Sequence, residues 1–577
     1  MSVCKPFFLG EIDSDLLFPY PTMTADEGET LAILLDSLER FAEEHIDSRA
    51  IDREARLPKE VIDGLGELGI LGIVVPEAYG GFGGSAAFYA KVTEALAGTD
   101  GSVVVTVGAH QSIGYRGILL FGTEEQKRRF LPEVASGERL AAFALTEPGA
   151  GSDAAAIRTR ATWDEGRGAW ILNGTKIWIT NGGIAGVYTV FAQTEVEVEG
   201  ARKDRITAFI VPRELPGVST GPEEHKLGIR GSSTTEVHFE NVELGPDLLL
   251  GEVGHGFKVA MEILNSGRLY LSAGCVGGMK HVLREATAHA AERVQFGRPI
   301  AEFELIQAKL AGMAVEIYAA EAMVELTTGL VDRGVEDTAL ECAICKFSTS
   351  EALWRVVNEA LQIAGGMGYM QEYPYERYLR DSRIDLIFEG TNEILRLYTA
   401  LAGLERPGER LREVAKALHD PVKQLGLLTG YAKTRARRAI GGPDLPELHP
   451  DMAPLGETLS TWVAEFAGAV EWALRRHGKS IIQRQMDLER IANAVAELYR
   501  MAAIVSRAEA ARRSGDELAA EAHLTRARLA VDGAFRGARR AIRAMRSNLD
   551  NDVRVVAAEI LAAEGAYLPH AQPAATR

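Results

Sequence analysis

The hydrophobic period of this chain changes twice along its length, and those changes dictate its architecture. From Thr24 to about Leu140, apolar residues recur at three- and four-residue spacing, as in "DEGETLAILLDSLERFAEEHI", which predicts amphipathic helices. "TEEQKRRFLPEVASGE" adds a cap, Thr123, ahead of an acidic first turn. From about Ala141 to Asp247 the period shortens. "GAWILNGTKIWITNGG", "GVYTVFAQT", "RITAFIVPRE" and "STTEVHFENVEL" are β-branched or aromatic runs punctuated by Gly, Pro or Asn. They predict a strand-rich insert, a barrel or a sandwich. Helical runs return from Gly256 to about Gly403, and again beyond a break at "GGPDLPELHPDMAP". The predicted fold is mainly α with a central β domain. Its boundaries are an N-terminal helical domain over 1–140, a β domain over 141–250, a helical domain over 251–404 and an additional C-terminal helical domain over 405–577.

Several function classes are disfavoured by composition. A chain of 577 residues exceeds the usual size of one domain, and 46% hydrophobic with 25% charged residues is ordinary for a soluble protein. A net charge of −18 argues against a nucleic-acid binder, which needs a basic face. No apolar run is long enough to span a bilayer. The start, "MSVCKPFFLGEIDSDLLFPYP", lacks the layout of a targeting peptide, so the expected location is cytoplasmic, extending to the inner face of the membrane. Four cysteines give no disulfide framework. Cys342 and Cys345 form a CxxC inside a helical run with no second ligand pair, and read as buried small residues; no metal site is expected. "GLGELG" at Gly64, Gly66 and Gly69 matches a dinucleotide fingerprint by letter but lies in an amphipathic helix, not after a strand. "YGGFGG" reads as a turn.

The stretch "RIDLIFEGTNEILRLY" poses the chemical question. Glu389 follows Leu386, Ile387 and Phe388 with no cation beside it, and a helix start follows, with Thr391 or Asn392 available to cap. Two readings stand at this level: a solvated capping group, or a base whose proton affinity is raised by desolvation. "FALTEPGAGSD" joins a short strand to a loop that exposes backbone donors and acceptors. "KIWITNGG" alternates so that Trp178 and Thr180 share a face, an indole to cover a planar ring and a hydroxyl to bond a ring heteroatom.

With these stretches in order, the chain resembles the acyl-CoA dehydrogenase family, most closely its very-long-chain branch. The likeness runs through "FPYP", "VGAHQSIGYRGILLFGT", "AFALTEPGAGSDAAAIRT", "GFKVAMEILNSGR", "QIAGGMGYM" and "LRDSRIDLIFEGTNEILRL". It extends into the C-terminal "RHGKSIIQRQMDLERIANAVAELYRMAAIVSRA". The resemblance implies a helical–β–helical core holding FAD and α,β-dehydrogenation of an acyl-CoA thioester. Glu389 matches the family's base, and its backbone N–H, with the flavin ribityl hydroxyl, would polarise the thioester carbonyl. One branch carries the base just before the arginine of "ILNSGR"; that residue here is Gly267, which leaves Glu389.

Other roles carry over by resemblance. Phe143, Leu145 and Thr146 match contacts to the isoalloxazine, Trp178 and Thr180 its cover and N5 partner, and Ser152, Phe388 and Gly390 the substrate side. Asn265 and Arg268 match positions near the CoA moiety, where an arginine suits phosphate. Arg293, Gln295 and Phe296, with Gln362, Gly365 and Gly366, match residues that meet the FAD of a neighbouring subunit. Thr391, Asn392 and Glu393 match the helix start facing the cofactor.

The small residues Val105, Gly108 and Ala109 suit a deep acyl tunnel. The branch implies a homodimer, reoxidation by electron-transferring flavoprotein, and membrane contact through the basic clusters Ala432–Gly442 and Phe535–Ser547, which otherwise read as solvated helix faces. Two rivals stay open: an assembly scaffold that keeps the fold, and an oxidase using O₂.

Overall fold

The computed structural model describes residues 2–198, 200–417 and 441–563, with the isolated positions 429, 433, 435, 436 and 565. Most of the Ala432–Gly442 cluster lies outside the described residues. The helices that shape the site are α1 (Ala25–His45), α2 (Ala86–Ala97), α3 (Gly101–Gly108), α4 (Gly256–Glu292), α5 (Glu304–Asp332), α6 (Ala339–Ala364), α7 (Tyr375–Ser382) and α8 (Asn392–Ala417). Three more follow: α9 (Ala453–His477), α10 (Gln485–Arg513) and α11 (Glu517–Arg546). Capping explains where the N-terminal helices begin. Thr24 accepts from Glu27 N–H, Ser85 from Phe88 N–H, and Asp100 from the N–H groups of Ser102 and Val103. Thr123 completes a capping box with Gln126 ahead of Glu124–Ser136. "GLGELG" is the end of the short helix Lys59–Glu67, and Gly69 terminates it at φ 74°.

The central region forms one mixed sheet of eight strands. The order β6 (Val218–Thr220), β7 (Thr234–Leu244), β3 (Ala169–Thr180), β2 (Arg160–Asp164), β4 (Ala185–Val198), β5 (Ala201–Pro212), β8 (Leu249–Leu250) is hydrogen-bonded throughout. β4 also exchanges partners along its length. It pairs in parallel with β1 (Leu140–Ala144) over Ala185–Val190, then with β2 at Gln193. Buried His110 ties the sheet to the helices: Ala141 N–H donates to its Nδ1 at 2.9 Å, and its Nε2–H donates to Val134 O. Burial pushes its pKa down to about 4, so the ring is neutral.

Two features of the packing cross the predicted domain bounds. Residues 2–20 do not join the N-terminal helical layer. Cys4, Phe7, Phe8, Leu16 and Leu17 fill a core with α6, α9 and α10, and a Cβ on Gly403 would meet the Phe8 ring at 2.0 Å. Apolar residues this dense at a chain start need a partner surface, and the C-terminal helices supply it. The additional C-terminal helices α9–α11 also pack closely, their buried faces being continuous with those of α5, α6 and α8. Cys342 and Cys345 are both free and buried on α6. The arginines of Phe535–Ser547 are exposed along α11 while Ala538, Ile542 and Met545 face the core. No described helix is long and apolar enough to cross a membrane.

Candidate active site

The loop Phe388-Glu389-Gly390 joins α7 and a 3₁₀ turn (Arg383–Leu386) to α8. Glu389 sits at φ 56° and Gly390 at φ 91°. A non-glycine residue in this left-handed region is strained by about 1–3 kcal/mol and persists only where its surroundings hold it. Two buried cations hold it. Arg268 Nε donates to Glu389 O at 3.3 Å, and Lys346 Nζ donates to Gly390 O at 2.8 Å. Asn265 Oδ1 steadies Arg268 at 3.0 Å, and Asn392 Oδ1 accepts from Lys346 at 2.8 Å. The loop is clamped carbonyl by carbonyl.

The clamp aims the carboxylate into a cavity that Phe388, Thr180, Ile113 and Gly267 also line. Glu389 Oε2 is occluded and has no hydrogen-bond partner. Gly267 makes the space: a Cβ there would lie 2.6 Å from Glu389 Oε2 and 2.7 Å from Ile113 Cγ2. Burial pushes the Glu389 carboxyl up to about 7, opposed by the charges of Arg268 and Lys346. Lys346 is itself drawn down to about 8 by burial, and the buried Asp385 carboxyl beside it is pushed up to about 7. Among the described residues, the Glu389 N–H donates to no protein acceptor. A base near neutrality and a free backbone donor therefore share one residue.

The β domain supplies the other wall. Ile177 N–H donates to Thr146 O at 3.0 Å, setting the "TEPGAGS" loop beside the end of β3. Fully buried Lys176 fixes that loop from below, donating to Leu145 O at 3.0 Å and Glu147 Oε1 at 2.7 Å. Glu147 in turn accepts from the N–H groups of Arg158 and Thr159. A bulge between Lys176 and Ile179 puts Trp178 at φ 54° and leaves the residue 63% exposed. Phe143 is half-buried against Phe191. A large indole held uncovered at a bulge, two residues from a cavity-lining threonine, fits a planar flavin stacked over the strand.

Other residues singled out by resemblance fall elsewhere. Arg268 is buried under the Glu389 loop, so it neither lies in a surface ion pair nor opens toward a CoA phosphate. Its guanidinium is needed to satisfy a buried carbonyl. Asn392 is also committed, donating to Ser350 Oγ at 3.1 Å as well as accepting from Lys346, which leaves no side-chain capacity for a cofactor. Thr391 Oγ1 accepts from Ile394 N–H at 3.4 Å as a cap, and Glu393 and Ser152 are exposed. Gln362, Gly365 and Gly366 stand at the far end of α6, roughly 24 Å from Lys346 at 1.5 Å per residue. Arg293, Gln295 and Phe296 occupy a hairpin beyond α4, with Phe296 94% exposed at φ 52°. Neither group reaches the Glu389 cavity within one chain. Lys346, Lys176 and Glu147 were missed by sequence reasoning; the only signal was a lysine interrupting each of the apolar runs "AICKFS" and "GTKIWI".

Lys346→Met is expected to lower the denaturation midpoint by the equivalent of about 2–4 kcal/mol, because two buried acceptors lose a charged donor. A midpoint equal to that of the wild type would show that the loop is held without it.

A strained loop that presents a desolvated base and a free N–H to an apolar tunnel, beside a bed for a planar ring, defines a flavin-dependent dehydrogenase of activated C–H bonds. Family models for the acyl-CoA dehydrogenase N-terminal, middle and C-terminal domains match residues 28–138, 142–242 and 254–403, and a model described as "ACAD9/ACADV, C-terminal domain" matches 450–566. The very long-chain specific acyl-CoA dehydrogenase, mitochondrial, of Bos taurus is 45% identical over 518 residues, 88% of this chain and 79% of that protein. A crystal structure of an acyl-CoA dehydrogenase complexed with FAD from Bacillus anthracis superposes with TM-score 0.79 at 32% identity, covering 98% of this chain and 96% of that one. The butyryl-CoA dehydrogenase of Megasphaera elsdenii matches at TM-score 0.62 and 39% identity over 66% of this chain and 99% of its own. The chain belongs to the acyl-CoA dehydrogenase family and is an FAD-dependent oxidoreductase.

Proposed function

We propose that this enzyme dehydrogenates long-chain acyl-CoA thioesters at the α,β-bond, with Glu389 as the base, and passes the electrons to electron-transferring flavoprotein. The length of the cavity carries the chain-length reading. From Gly267 beside Glu389, it follows one face of α4 past Tyr270, Gly274 and Gly278 to His281. Fourteen residues of helix span roughly 21 Å at 1.5 Å each. Carbon–carbon bonds of about 1.5 Å in an extended zigzag advance about 1.25 Å each, so roughly seventeen fit. Val105, Gly108 and Ala109 line the opposite wall, and a Cβ on Gly108 would meet nothing within 4 Å.

In the reaction, Glu389 takes the α-proton while its own N–H bonds the thioester oxygen, where enolate charge develops. When bound, FAD supplies the acceptor for the β-hydrogen. Trp178 and Thr180 orient the ring, and the apolar acyl chain excludes water from the carboxylate and raises its proton affinity further. The hairpin bearing Phe296 and the end of α6 would reach the FAD of a second copy in a homodimer. Exposed arginines along α11 would favour an anionic lipid surface.

Gly108→Phe is expected to shift the optimum toward shorter chains and to cut kcat/KM for palmitoyl-CoA by at least about tenfold, because its ring fills the tunnel. An unshifted optimum would place the acyl chain elsewhere. The test of the function itself is anaerobic titration of the purified yellow protein with palmitoyl-CoA, followed by the flavin's visible band. Bleaching supports the reading; a flavin that binds but is bleached by no acyl-CoA supports the scaffold instead.

A further inference from the structure

The tunnel does not end in a wall of hydrocarbon. Its far end is closed by a polar pair: His281 Nε2–H donates to Tyr378 Oη at 2.6 Å, with the rings edge to face at 5.4 Å. Arg284 donates to His281 Nδ1 at 3.1 Å, which fixes the proton on Nε2. Burial with two nearby arginines pushes the imidazole down to about 4, so the pair is neutral.

Behind it lies a second, more open cavity between α1, α2 and α4. His281, Gly98 and Thr99 line both cavities. Leu35, Leu38 and Ala42 on α1, with Ile46 just after it, form the apolar side of the second cavity, and Glu39, Glu43, Lys91, Glu94, Lys280 and Arg284 form its charged side. Its frame is rigid where α2 and α4 touch, since a Cβ on Gly277 would lie 2.0 Å from Glu94 O. At the junction a Cβ on Gly98 would sit 3.2 Å from Ala95 O and 3.9 Å from His281 Cβ, so any larger side chain there crowds the passage.

We propose that the His281–Tyr378 pair is a door at the distal end of the acyl tunnel, and that chains too long for the tunnel pass it into the groove under α1. The inference rests on the long-chain reading above. The occupant is the ω-end of the substrate. The apolar α1 side of the groove suits a methyl terminus, and the His281 side chain, which lines both cavities, stands between them, held by hydrogen bonds to Tyr378 and from Arg284 that a rotamer change breaks. Residues at this junction therefore determine specificity above the length that the tunnel itself accepts.

The test compares anaerobic flavin reduction by palmitoyl- and tetracosanoyl-CoA in the wild type, His281→Ala, Tyr378→Phe and Gly98→Leu. The ratio of kcat/KM for tetracosanoyl- over palmitoyl-CoA is expected to rise about tenfold when His281 is removed, and less in Tyr378→Phe, where the ring stays. It is expected to fall about tenfold in Gly98→Leu, whose side chain plugs the junction. Ratios within twofold of the wild type in both His281→Ala and Gly98→Leu, with palmitoyl-CoA still bleaching the flavin, overturn the door. If one of the two does not fold, the other decides together with Tyr378→Phe. A wild-type flavin that palmitoyl-CoA does not bleach overturns the underlying reading and the door with it.

Discussion

Glu389→Gln is expected to slow flavin reduction by palmitoyl-CoA about 10²–10⁴-fold, the usual worth of a general base. The amide keeps the shape of the carboxyl and loses only its basicity. Stability should not suffer. Oε2 has no hydrogen-bond partner to lose, and the left-handed backbone is held by Arg268 and Lys346 through carbonyls the substitution does not touch. The sign of the pH effect agrees. Burial raises this carboxyl from 4.5 to about 7, so its contribution to stability is complete below pH 4.5 and is lost as pH rises through 7. At pH 8 the wild type carries the cost of a desolvated charge and the glutamine variant does not. The variant should therefore bind FAD and melt no lower than the wild type. A variant that turns over normally would remove Glu389 from the chemistry.

Gly267→Ala should be nearly as damaging, from a single methyl group on a different helix. The added carbon would stand 2.6 Å from Glu389 Oε2, inside contact distance, and 2.7 Å from Ile113 Cγ2. Glu389 is the flexible partner, so the carboxylate swings aside and the helix stays. A displacement of about 1 Å from attack geometry costs roughly 10²-fold. Single-turnover reduction should fall by that factor while FAD content and melting temperature hold. Wild-type rates in Gly267→Ala would mean that the carboxylate has room this packing does not show. The geometry also explains the family's two placements of its base. A side chain at position 267 on α4 enters the space that the Glu389 carboxylate occupies, so either backbone can deliver a carboxylate to one point.

The layers were legible through hydrophobic period; Glu389 stood out among Leu386, Ile387 and Phe388, but only the family motifs around it chose a base over a solvated cap. The small residues Val105, Gly108 and Ala109 were legible as a tunnel wall only through the family resemblance; they stand at the end of α3 and just beyond it, where they line the cavity. The clamp on the loop was not legible. Lys346 lies 44 residues from Gly390, and a lysine in an apolar helical run has no visible partner until the fold brings one. Arg268 was read as a phosphate ligand because arginine suits phosphate; its buried acceptor is a main-chain carbonyl, which sequence does not mark. Asn392 was read as part of a helix start whose N–H groups face the cofactor; that its side-chain amide is taken up by Lys346 and Ser350 was not legible. Residues 2–20 precede the first long helix in the chain yet pack against the last ones, a long-range choice that no local period encodes.

The most direct measurement is the pH dependence of kcat/KM for anaerobic flavin reduction by palmitoyl-CoA, from pH 5.5 to 8.5. The base acts only when ionised, and burial places its proton affinity at about 7. The rate should climb with a single limb near pH 7, level above it, and lose that limb in Glu389→Gln. A wild-type profile already flat at pH 5.5, or a limb that survives the glutamine substitution, would contradict a desolvated Glu389 as the group that takes the proton.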